Sequence, residues 1–208
     1  YHSQICAPTI VWSQSESMKG FRILFVLTPA FDPNSGGVQM STYKLGSRFS
    51  KSGHSVGIFS FARSGHTDCK FGTLKFAKES GRTRSDRNLA ALQRFVTEFG
   101  PDVVINQMPY EHAIGKVLRN FHNVVLISCL RNTLFSVKGN LDSYIDKIIP
   151  RVFRPFAKTG LIKSLLLDIH RRRHRGDLMR ILSASDLFVM FGPPNIEELK
   201  YFVPDFDK

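Results

Sequence analysis

The sequence predicts an α/β fold, a mostly parallel sheet between two layers of helices. Apolar runs of strand length recur along the chain with helical patterns between them, the mark of repeated βαβ units. A composition of 42% apolar and 22% charged side chains over 208 residues is that of a folded globular chain, long enough for one large domain or two small ones. No apolar run approaches the ~20 residues that span a bilayer, so the buried segments read as strands and core helices. Together these features predict a Rossmann-like three-layer domain.

Taken in order, residues 1–17 (YHSQICAPTIVWSQSES) show neither helical nor strand periodicity and are followed by Met18. They are expected to be a non-native or unstructured leader, with Met18 as the native start. A signal peptide fits them poorly, because a basic n-region is missing and Pro8 breaks the apolar segment. The domain is expected to fill residues 18–208. Its first strand is 23–27 (ILFVL), followed by a loop at 28–37 rich in Pro, Asn, Ser and Gly. Val38, Met40, Tyr43, Leu45 and Phe49 then share much of one helical face, and Gly53 ends that helix. Residues 56–61 form the second strand, and Leu74 and Phe76 mark a short third. Leu89, Leu92, Phe95, Val96 and Phe99 define a helix stopped by Gly100-Pro101, before a fourth strand at 103–105. Ala113, Val117 and Leu118 lie on a helix leading to the fifth strand at 124–127, and 187–190 is the next clear strand. The stretch 141–184 between them reads as helical with breaks at Pro150, Pro155 and Gly160, too long for a plain crossover.

A formal charge of +12 draws phosphate-bearing partners, whether nucleic acid, anionic lipid or nucleotide. Nine basic residues between Arg151 and Arg180, Arg171, Arg172, Arg173 and Arg175 among them, face only Asp168 and Asp177, so this stretch carries +7 of the total. Phe153, Phe156, Leu161, Ile162, Leu165, Leu166 and Leu167 are interleaved with them, as in a helix that lies on a membrane surface. A solvated helix face and nucleic acid are the competing readings. Nucleic acid is the least supported, since no recognition helix, aromatic RNA-binding strand or zinc finger is visible. Three scattered cysteines, Cys6, Cys69 and Cys129, fit a reducing compartment and no zinc site. His170 and His174 would share a helical face, but no acidic ligand accompanies them and no metal is expected.

The loop ending in Ser35-Gly36-Gly37-Val38 joins a buried strand to a helix N-terminus, the place where parallel sheets bind ligands and where free backbone N–H groups favour an anion. Two glycines let a phosphate or sugar come close to the backbone. The spacing is neither G-x-G-x-x-G nor a P-loop, which argues against a dinucleotide enzyme and a P-loop ATPase. A tight turn without a ligand is the alternative. Gly53-His54 reads as a helix C-cap glycine followed by a partly exposed histidine.

The run FRILFVLTPAFDPNSGGVQMSTYKLGSRFSKSGHSVGIFSFA resembles the opening of family 4 glycosyltransferases: a hydrophobic strand, a loop ending in Gly-Gly-Val, a helix, and Gly-His before the second strand. Phe99-Gly100-Pro101-Asp102-Val103-Val104 is similar to that family's Pro-Asp-strand element. Ala184-Ser185-Asp186-Leu187-Phe188-Val189 with Glu197-Glu198-Leu199 resembles its strand before the domain crossover. The resemblance covers about residues 21 to 203. It implies the N-terminal, acceptor-side half of a GT-B fold, with the donor-binding half and its Glu-x7-Glu signature absent from this chain. A retaining transferase needs both halves to bring its reactants together, so the chain alone is expected to be inactive.

The resemblance further implies a nucleotide-sugar donor and no resident cofactor. The acceptor would be a glycan or lipid-linked molecule in cell-surface polysaccharide or glycolipid synthesis. The location would be cytoplasmic, peripheral at the inner face of the membrane, with Arg171, Arg172, Arg173 and Arg175 on the lipid. Gly36 and Gly37 would contact donor phosphates or acceptor. Many relatives place a His just after the fifth strand; here the segment is Ile127-Ser128-Cys129-Leu130-Arg131-Asn132-Thr133, so Arg131 takes the catalytic position and Asn132 the acceptor side. An arginine can hold a phosphate or carboxylate bidentately but cannot take up or lose a proton near neutral pH. A non-catalytic Rossmann-like binding module with a basic membrane- or nucleic-acid-binding surface is the rival reading.

Overall fold

The computed structural model describes residues 20–28, 30–63, 69–107, 111–130, 146, 149–190, 196–197, 199–200 and 203. The leader expected at 1–17 lies outside the described residues. Strands β1 (Arg22–Leu27), β2 (Ser55–Ser60), β3 (Thr73–Phe76), β4 (Val103–Asn106), β5 (Val125–Leu130) and β6 (Leu187–Met190) form one sheet in the order β3-β2-β1-β4-β5-β6. All five neighbouring pairs are parallel. This is the strand order of the doubly wound, Rossmann-like α/β class that the sequence predicts.

Helices α1 (Gly37–Lys51), α2 (Asp86–Phe99), α3 (His112–Arg119), α4 (Arg154–Ala157) and α5 (Gly160–Ala184) connect the strands. Side chains alternate along each strand, which separates two cores. Ile23, Phe25, Leu27, Ile58, Ile105 and Cys129 meet Leu45 and Phe49 of α1 on one face. Leu24, Val26, Phe59, Val104 and Leu126 meet Leu92, Phe95, Ile114 and Leu118 of α2 and α3 on the other. With helices on both faces, β1 must be apolar at every position after Arg22, and Ile23 to Leu27 are all buried.

Helix ends follow the expected chemistry. Gly53 has φ 85°, its N–H donates to Ser50 O at 3.0 Å, and the next N–H, of His54, reaches Phe49 O at 3.0 Å. A residue with a Cβ is penalised in that left-handed conformation. The N-terminal edge of the sheet is pinned by three side chains whose motifs stand out in the sequence. His54 Nδ1 accepts the Phe21 N–H at 3.0 Å, Asp102 Oδ2 accepts the Arg22 N–H at 2.7 Å, and Asp186 Oδ2 accepts the Leu126 N–H at 2.7 Å. Each stands just before its own strand and holds the start of the neighbouring strand, where a parallel ladder leaves an N–H without a partner.

Two expectations are corrected. The face that α1 buries is Gln39, Thr42 and Gly46, flanked by Leu45 and Phe49, while Tyr43 is exposed. The α1 face is small and polar because aromatic rings come from elsewhere: a Cβ on Gly46 would fall 2.4 Å from the Phe71 ring, whose edge also meets Tyr43. In the 151–184 stretch, Pro155 sits in the first turn of α4, where its missing N–H costs no helical bond, so it makes no break, whereas the break expected at Gly160 is present between the end of α4 at Ala157 and the start of α5 at Gly160. The apolar residues of α5 do not share one side. Leu178 and Ile181 are buried in its C-terminal half, whereas Leu161, Leu165 and Ile169 are exposed in its N-terminal half.

Candidate functional site

Strand order reverses between β1 and β4, since the chain leaves β1 towards β2 on one side and leaves β4 towards β5 on the other. A crevice at the carboxyl ends of these two strands is the expected ligand position in an open parallel sheet. The loop after β1 borders it. Phe31, 1% exposed, anchors this loop edge-on to Phe71. Asp32 then closes a turn: its Oδ1 accepts the Asn34 N–H at 2.9 Å, and its carbonyl accepts the Ser35 N–H at 3.0 Å and the Ser35 hydroxyl at 2.9 Å. This turn presents Gly36 in extended conformation as the N-cap of α1.

The first intrahelical bond of α1 runs from the Met40 N–H to Gly36 O at 2.9 Å, so the amides of Gly37, Val38 and Gln39 precede the helical ladder. These N–H groups, with the positive end of the helix dipole, suit an anionic or hydroxyl-bearing ligand. The two glycines differ. A Cβ on Gly36 would lie 2.9 Å from Gln39 Oε1, so part of its need for glycine is internal packing. A Cβ on Gly37 would meet nothing within 4 Å. Among the described residues nothing packs against the bare Cα at Gly37.

The end of β4 contributes a residue that the motif reading passes over. Gln107 continues β4 with its N–H donating to Val26 O at 2.9 Å, and it is 3% exposed. Its Oε1 and Nε2 are buried with no hydrogen-bond partner among the described residues. The signal in the sequence was the polar pair Asn106-Gln107 closing an apolar strand, and it carries no motif. On β5, Ser128 is fully buried and accepts the Ser185 hydroxyl at 2.7 Å, while Cys129 is buried among apolar neighbours. Arg131 and Asn132 come directly after β5 in the sequence and lie outside the described residues.

The basic stretch is only partly described. Arg171 and Arg173 belong to α5, but their side chains, with those of His170 and His174, lie outside the described residues. Arg172 pairs with Asp168 at 2.7 Å, Lys158 with Asp146 at 3.0 Å, and Arg175 is exposed. Asp168 is already counted in the +7, and Asp146, outside the 151–180 stretch, neutralises one charge more. Val152, Phe153 and Phe156 are exposed just ahead of the exposed side of α5. Cys69 and Cys129 are free thiols, and burial pushes the Cys69 thiol up, so it stays protonated at neutral pH. Among the described residues, no three His, Cys, Asp or Glu side chains converge, and no helix is long and apolar enough to cross a membrane.

No protein-family model and no curated protein matches the chain. Two crystal structures of Os79 from O. sativa align with it, one in complex with UDP and deoxynivalenol-3-glucoside and one in complex with UDP. Each has 11% sequence identity and a TM-score of 0.48 over 86% of this chain, covering 50% and 49% of the respective Os79 chains. The chain therefore spans about half the length of those structures. At this identity and TM-score the likeness carries no information on chemistry.

Proposed function

We propose that this chain is the N-terminal, acceptor-side half of a retaining GT-B glycosyltransferase of family 4 type, acting on a glycan or lipid-linked acceptor in cell-surface polysaccharide or glycolipid synthesis. The observation that carries this reading is the glycine loop at the switch point: a helix N-terminus follows β1 there, and among the described residues nothing fills the space beside Gly37. In the reaction, the acceptor oxygen bonds to the anomeric carbon as the bond from that carbon to the donor diphosphate breaks, and the hydroxyl proton leaves with the diphosphate. Most of the rate enhancement expected of such a site is the holding of two reactants in one geometry, which needs a facing donor domain. Arg131 would hold phosphate oxygens without exchanging a proton, and Asn132 would face the acceptor.

Replacing Gly37 by Val in the intact enzyme tests the reading. The open surroundings predict a folded protein with an unchanged unfolding temperature, while the added side chain blocks the ligand and abolishes transfer. Transfer at the parent rate would remove the assignment.

A second reading concerns the surface of α4 and α5. Leu161, Leu165 and Ile169 recur every fourth residue on the exposed side of α5, and Leu161 is 88% exposed beside Lys158 and Lys163. Apolar side chains left in water among cations fit an anionic membrane surface, where the acceptor of such an enzyme would lie.

A further inference from the structure

Gln107 is a buried amide to which the described residues supply no hydrogen-bond partner. Asn88 shows what the same chemistry looks like when its role is structural: fully buried, it accepts the Glu79 N–H at 2.9 Å and donates to Glu79 O at 2.6 Å and Arg82 O at 2.7 Å, so both ends of its amide are used. Gln107 is almost as buried, and both amide atoms are unpaired. A buried amide without partners lowers stability, and proteins keep such groups where a ligand or an ordered water completes them.

Its position argues for a ligand. Asn106 pairs with Val26 on β1 and with Ser128 on β5, so Gln107 follows at the carboxyl edge, at the switch point. Alternation along β4 puts Gln107 on the same face as Ile105, which packs in the α1 core, and Asn106 on the face of Val104. α1 packs on that same face through Leu45 and Phe49, and Gly37 begins its first turn, so Gln107 and the unladdered N–H groups both stand on the α1 side of the sheet at the switch point.

We propose that Gln107 reads a hydroxyl of the sugar carried by the ligand in this crevice. The inference rests on the nucleotide-sugar reading above and assigns one residue to telling a sugar nucleotide from the bare nucleotide. A carboxamide offers one acceptor and two donors, and a hydroxyl both donates and accepts, so a single hydroxyl can engage both orphaned atoms. A phosphate oxygen could use only the Nε2–H groups and would leave Oε1 unpaired. Both atoms are sealed from solvent here, so the ligand reaches them by displacing what covers them.

The test is Gln107→Met, which keeps the length of the side chain and removes its polarity. The intact protein is titrated calorimetrically with UDP-, GDP- and ADP-linked hexoses and with the matching diphosphates, and its thermal unfolding is recorded. The expected result is a variant with an unfolding temperature equal to or above the parent's, unchanged affinity for the bare diphosphate, and affinity for the sugar nucleotide weakened about tenfold or more. Unchanged sugar-nucleotide affinity overturns the assignment, as does an equal loss for diphosphate and sugar nucleotide. A lower unfolding temperature overturns it too, because the amide is then satisfied within the fold by water. If the parent binds none of these nucleotides, the failure belongs to the glycosyltransferase reading itself.

Discussion

Asp102 illustrates how a residue can resemble a functional motif and act on the fold. Its carboxylate accepts the Arg22 N–H at 2.7 Å while its own N–H donates to Arg22 O at 2.8 Å, a reciprocal clasp between the start of β4 and the start of β1. Asp186 repeats the arrangement with Leu126. Hydrogen bonds to a charged acceptor contribute about 1.5–3 kcal/mol, so Asp102→Ala should destabilise the protein by roughly that amount in urea unfolding. Asp102→Asn keeps an acceptor oxygen and should cost less. Equal losses for the two variants would mean that the carboxamide oxygen cannot replace the carboxylate. The Gly-His, Pro-Asp and Ser-Asp pairs were legible in the sequence as motifs, yet their shared role at the sheet edge appears only when neighbouring strands are in place. The glycines divide in the same way. Gly53 was legible as a helix cap because the cap is local, whereas the difference between Gly36 and Gly37 depends on where Gln39 sits.

Among the elements, α5 departs most from its sequence pattern. Its apolar residues, interleaved with basic ones as in an interfacial helix, do not gather on one side of its twenty-five residues. Its C-terminal half buries Leu178 and Ile181, with Leu199 and Val203 in the same small core, and Arg119 Nη1 ties α3 to Ala184 O at 2.9 Å. Its N-terminal half keeps the exposed stripe. In the membrane reading proposed above, contact would fall to α4 and the first turns of α5. Two variants separate charge from burial in co-sedimentation with liposomes: Arg171, Arg172, Arg173 and Arg175 changed to Gln, and Leu161, Leu165 and Ile169 changed to Ser. Each Lys or Arg near an anionic surface contributes about 1 kcal/mol before screening, so the first variant should lose the salt-sensitive part of binding. The second should lose the part that persists at high salt. Equal sedimentation of parent and both variants would leave a solvated surface, and loss of RNA binding in the first variant alone would favour nucleic acid.

For the whole molecule, the parallel order β3-β2-β1-β4-β5-β6 puts the switch point between β1 and β4, where an open parallel sheet binds its ligand at the carboxyl ends. A transferase of the proposed kind closes such a crevice with a second α/β domain. We expect the coding sequence beyond Lys208 to continue into that domain with its paired glutamates, and the first 208 residues expressed alone to show no turnover. A stop codon directly after Lys208 would favour the non-catalytic binding module instead. The sequence by itself determined the strands, the helices and their caps, because burial on both faces writes an unbroken apolar run and helix ends are set by neighbouring residues. Only the tertiary structure decided which side of α1 is buried, which apolar residues of α5 are covered, and that Gln107 is buried without a partner among the described residues. Those outcomes depend on strand order and on contacts between residues far apart in the chain, and such contacts leave no periodicity in the sequence.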